Sequence, residues 1–62
     1  MKDKKKGIIS FLNKNGRSST SKIAAAIRSD IWMTRKYLSE LLKDKKVKCE
    51  AETKATYWVS LG

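Results

Sequence analysis

The sequence predicts a mainly α domain closed by a small β-hairpin, and three observations predict it. Apolar residues recur at helical spacing in three runs, separated by Asn15-Gly16 and Ser29-Asp30 with a hydroxyl-rich stretch between. After Lys45-Lys46 the spacing changes to period two. The chain has only 62 residues, enough for one compact domain with a marginal core and no separately walled catalytic cleft.

Met1 to Lys6 is polar and lysine-rich, and residues 1–4 are expected to form a flexible basic tail. From Lys5 onward Ile8, Ile9 and Leu12 repeat at helical spacing until Asn15-Gly16 stops the first helix. Arg17-Ser18 has room for a connection or a two-residue strand. Ser19 stands where an N-cap belongs, four residues before Ile23, so the second helix is expected from about Thr20 to Arg28. Its stripe is Ile23, Ala24 and Ile27, while Ala25 and Ala26 favour helix and let a neighbour approach closely.

Ser29-Asp30 offers a second capping side chain. Ile31, Thr34, Leu38, Leu41 and Leu42 then share one face of a third helix that ends near Lys43 or Asp44. At about 100° per residue, Trp32, Met33, Lys36, Glu40 and Lys43 fall opposite Leu38, with Arg35 and Ser39 on the flank. Val47, Cys49 and Ala51 alternate with Lys48, Glu50 and Glu52, and the β-prone run Thr56-Tyr57-Trp58-Val59 follows. Glu52-Thr53-Lys54 is the expected hairpin tip, with Tyr57 and Trp58 as sheet-face and core residues. Helix, short extended piece, helix, helix, hairpin is the order of a winged helix-turn-helix. That fold has three helices and a two- or three-stranded antiparallel wing, here in a single domain over 1–62.

Fifteen Lys and Arg against six Asp and Glu give a formal charge of +9, a density that a polyanion relieves. Nucleic acid is the first candidate. The apolar stretches are too short to span a bilayer and no long apolar signal region follows Lys6, so no membrane partner and a cytoplasmic location are expected. A hydrophobic fraction of 40% with two Trp argues against disorder. One cysteine, Cys49, and no histidine exclude a disulfide framework and the usual zinc-ligand sets, and no cofactor is expected. Without a nucleophile-base pair, metal set or phosphate loop the chain is not read as an enzyme.

A helix-turn-helix lays its second helix in the major groove. Base reading is therefore expected of Trp32, Met33, Arg35 and Lys36, Arg and Lys reaching guanine O6 and N7, and Trp or Met touching a thymine methyl. Phosphate contacts are expected of Ser19, Thr20, Ser21 and Lys22 at the start of helix 2, of Ser39 and Lys43 on helix 3, and of Lys46, Lys48 and Lys54 toward the wing. Lys2, Lys4, Lys5 and Lys6 add non-specific attraction. The free chain is expected to be a monomer or weak dimer; the competing reading makes Trp32 and Met33 an apolar anchor on a partner protein or a second copy, which a stable DNA-independent dimer would favour.

Ile8-Ile9-Ser10-Phe11-Leu12-Asn13, Thr20-Ser21-Lys22-Ile23-Ala24, Arg35-Lys36-Tyr37-Leu38 with Leu41-Leu42, and Ala55-Thr56-Tyr57-Trp58 together carry a family resemblance. Over nearly the whole chain, from Lys4 to Leu61, the sequence resembles the FaeA/PapI-like regulators of bacterial fimbrial operons. The resemblance implies a small winged helix transcription factor that binds specific promoter DNA to control phase-variable expression. In the best-known members it acts with a second regulator, the leucine-responsive one, near adenine-methylation sites. It also implies that Arg35 and Lys36 face DNA and that Tyr37, Leu38 and Trp58 are scaffold. The wing departs from the family pattern, because Glu50 and Glu52 stand where a basic, glycine-containing wing is usual. Z-nucleic-acid-binding winged helices are similar in length and carry a Trp equivalent to Trp58. They use an Asn and a Tyr where this chain has Arg35 and Ser39, and wing prolines that it lacks.

Overall fold

The computed structural model describes residues 4–61. Helix α1 spans Lys4–Asn15, strand β1 Ser18–Ser19, α2 Thr20–Ile27, α3 Ile31–Lys43, β2 Val47–Ala51 and β3 Thr56–Ser60. The three helices and the hairpin appear in the expected order. Residues 1–3 of the expected tail, Lys2 among them, lie outside the described residues. Lys4 is not part of a tail: it opens α1, and its Nζ donates to the carbonyls of Ile27 at 2.7 Å and Arg28 at 3.3 Å. Those carbonyls end α2 and lack helical partners, so an ammonium satisfies them.

Each helix end follows from a local residue. Gly16 adopts φ 75° and its N–H donates to Leu12 O at 2.7 Å, closing α1. Ser19 caps α2 in extended geometry, its Oγ accepting from the Lys22 N–H at 3.3 Å. Arg28 turns left-handed at φ 55° and sends its N–H back to Ala25 O, so α2 stops at Ile27, one residue before the expected end. Asp30 starts α3, its Oδ1 accepting from the Met33 N–H at 2.7 Å. Its carbonyl accepts from Thr34 Oγ1 at 2.8 Å, which lets a fully buried threonine sit among apolar neighbours.

The sheet is antiparallel in the order β1-β3-β2, with Ser18 opposite Trp58, Ser19 opposite Tyr57, and Cys49 and Glu50 opposite the same two residues from the other side. The short strand is Ser18–Ser19, shifted by one from Arg17-Ser18. Ile8 and Leu12 of α1, Ile23 of α2, Leu38 and Leu41 of α3, Val47 and Trp58 form the core. Leu42 is not in it and is 42% exposed. It stands about 80° around the helix from the centre of the buried face at Thr34, past the edge that the other elements cover. Ile31 is only half-buried for a similar reason. No helix among the described residues is long and apolar enough to cross a membrane.

Candidate nucleic-acid interface

One groove gathers six of the expected contact residues, Ser19, Thr20, Ser21, Arg35, Ser39 and Lys54. Its walls are the start of α2 with Ser19, Thr20 and Ser21, the flank of α3 with Ile31, Arg35 and Ser39, and the wing from Glu52 to Thr56, with Trp58 also lining it. Trp58 is held by its own ring nitrogen: Nε1–H donates to Thr20 Oγ1 at 2.9 Å, tying β3 to the first residue of α2. Thr20 thus serves the scaffold, and its hydroxyl hydrogen is what it can offer a phosphate. The Ser19 hydroxyl is in the same position, accepting from Lys22 N–H with its own hydrogen left to donate.

Beside the groove runs the outward crest of α3. Trp32, at 74% exposure, and the exposed Lys36 and Lys43 lie along it, and Arg35 and Ser39 occupy the wing-side flank. Met33 falls on the other flank, on the side of Glu40. Glu40, read from the sequence as outward-facing, is half-buried and forms an ion pair with Lys5 of α1. Its carboxyl is held below the usual range, first by the hydrogen bond from Lys5 and its charge, then by Lys36. It is the one acid of α3, so the crest and the wing-side flank carry Arg35, Lys36 and Lys43 with no carboxylate among them.

Lys54 and Thr56 bring the wing into the same groove. Lys22 and Lys48 are exposed but do not line it. Lys46 lines a separate groove between α1, the end of α3 and Leu61, together with Lys5, Lys6 and Lys45, and the two grooves share no residue. Among the described residues no group of side chains could hold a metal ion.

From the sequence Arg17 is legible only as part of the connection or short strand ahead of α2. Its Nη1 lies 2.9 Å from Glu52 Oε1 and 3.4 Å from Glu50 Oε1, and its guanidinium carbon sits 4.5 Å above the centre of the Tyr57 ring. The Glu52 hydrogen bond and charge, with Glu50 adding, hold its pKa above the ordinary value. The wing acids that would oppose a phosphate are therefore engaged by a cation of the chain itself. Nothing local signals this pairing; the one trace is the period-two spacing that puts Glu50 and Glu52 on one face.

The model of a family described as FaeA-like protein matches residues 1–61. Among solved structures, the Zalpha domain of PKZ from Carassius auratus, in complex with Z-DNA, is 28% identical with a TM-score of 0.85, over 94% of this chain and 92% of that one. A homodimeric winged helix-turn-helix DNA-binding domain from Mycobacterium bovis, described as a possible ArsR-family transcriptional regulator, has a TM-score of 0.87 at 20% identity, over 95% of this chain and 54% of that one. ZitR from Lactococcus lactis in complex with DNA has a TM-score of 0.86 at 19% identity, over 97% of this chain and 42% of that one. The last two share the winged helix fold with this chain, which spans about half of each or less. No curated protein sequence matches it.

Proposed function

Since the chain belongs to the FaeA-like protein family, we propose that it is a sequence-specific duplex-DNA-binding regulator of transcription that lays α3 in the major groove. The observation that carries this reading is the cationic crest of α3, free of acids, beside a groove that also holds the hydroxyl-rich start of α2 and Lys54 of the wing. Trp32, Met33, Arg35 and Lys36 read bases, with Lys36 and Trp32 best placed at the crest. Ser19, Thr20, Ser21, Lys22, Ser39, Lys43, Lys48 and Lys54 hold phosphates. Lys46 lies in the other groove and acts only through the long-range field. The family resemblance supports a fimbrial-type promoter, a second regulator as partner and a cytoplasmic site of action.

Selection from a random duplex pool tests both halves of the proposal. An enriched motif is expected, and absence of any shift with mixed duplex at low salt would rule DNA binding out. Lys36→Ala should relax selectivity at one position, whereas Lys54→Ala should weaken all sequences alike and reduce the salt slope by about 1.

A second reading, recognition of left-handed duplex, is favoured by the Carassius domain together with the place of Trp58 in the groove. An alternating CG duplex should then invert its circular dichroism when the protein is added. An unchanged right-handed spectrum on a bound duplex decides for the first reading.

A further inference from the structure

Arg17 joins the two walls of the groove that the α3 flank does not supply. Its backbone leads directly into β1, whose last residue, Ser19, caps α2. Its guanidinium crosses the sheet to both wing acids and covers Tyr57. Tyr57 pairs with Ser19 on one side and Glu50 on the other, and Glu52 lines the groove itself. We infer that Arg17 is a positioning residue for nucleic-acid binding, a strap that fixes the wing against the start of α2 through Glu50, Glu52 and Tyr57 without touching the DNA. The inference rests on the reading of this groove as the duplex interface.

The arrangement suits arginine alone. A planar guanidinium can meet two carboxylates along its edge while its face lies on an aromatic ring, and a lysine ammonium keeps the charge but cannot keep both contacts. Single exposed ion pairs hold little, so the predicted effect comes from the combined geometry and is of moderate size. Charge and geometry therefore make different predictions for the same site.

The experiment measures affinity of the wild-type chain, Arg17→Ala and Arg17→Lys for one labelled duplex across a salt series, and amide exchange of the three DNA-free proteins. Both variants should bind about three- to tenfold more weakly, in keeping with two exposed ion pairs and a cation–π contact. Their salt slopes should run parallel to wild type. The amides of Glu50, Glu52 and Tyr57 should exchange faster while those of α1 stay protected, which shows that the fold is intact. If Arg17→Ala flattens the slope by about 0.9 and Arg17→Lys binds like wild type, Arg17 is a phosphate contact and the inference is overturned. Wild-type affinity and wild-type exchange in both variants overturn it equally. Failure of the wild-type chain to bind any duplex is a different result, which removes the DNA reading and this inference with it.

Discussion

Thr20 is the residue on which scaffold and site meet. Its Oγ1 takes the Trp58 indole hydrogen, so Thr20→Val leaves a nearly buried donor unpaired. The expected loss is about 1–3 kcal/mol, measurable by urea denaturation, together with weaker DNA binding. Trp32 is the opposite case, a large apolar side chain that the fold does not use. Trp32→Ala should change stability by less than about 0.5 kcal/mol while weakening duplex binding; loss of a DNA-independent dimer in sedimentation would assign the residue to a protein partner instead. Gly7 sits inside α1, and a Cβ there would meet Ile27 Cγ2 at an ordinary 3.5 Å. Gly7→Ala is therefore expected to stabilise the domain by about 0.5–1 kcal/mol, read as a higher midpoint in the same denaturation.

At the level of elements, what the sequence disclosed was whatever neighbouring residues decide among themselves. Ser19 and Asp30 cap the helices they were expected to cap, and the apolar spacing of α1, α2 and α3 leads to the observed core. The sequence did not disclose contacts made between elements: Lys4 on the end of α2, Lys5 on Glu40, and Arg17 on the wing. These are long side chains whose partners are chosen by tertiary geometry, and local patterning treats them as outward and solvated. Leu42 failed in the other direction, since a helical wheel knows the spacing but not how wide a face its neighbours cover. The groove was legible as a set of residue types, yet the exclusion of Lys46 from it required the fold.

The Lys5–Glu40 contact between α1 and α3 has a pH signature. The Glu40 carboxyl is depressed when folded, so the contact adds stability above the ordinary carboxyl pKa and loses it as pH falls through the lower, folded value. Glu40→Gln should flatten that acid limb of a denaturation-versus-pH curve by lowering stability slightly near neutrality, and leave stability below the folded pKa almost unchanged. Exposure of the pair keeps the effect small.

For the whole molecule, the internal ion pairs leave the formal charge of +9 undiminished, because Lys5 and Arg17 engage Glu40, Glu50 and Glu52, which that sum already subtracts. The remaining cations still repel one another, so added salt should raise the melting temperature of the free protein while weakening its hold on duplex DNA, and bound duplex should raise it further. Calorimetry with and without DNA across salt concentrations checks all three signs. The sheet order β1-β3-β2 bears on how such a domain comes into being. Its middle strand is the last of its elements to be synthesised, and Ser18 waits for Trp58. A nascent chain can make every helix, α3 included, and still lack the tryptophan that lines the groove and pairs with both outer strands. The groove is therefore complete only once β3 has paired with both outer strands, the last step that the chain order allows.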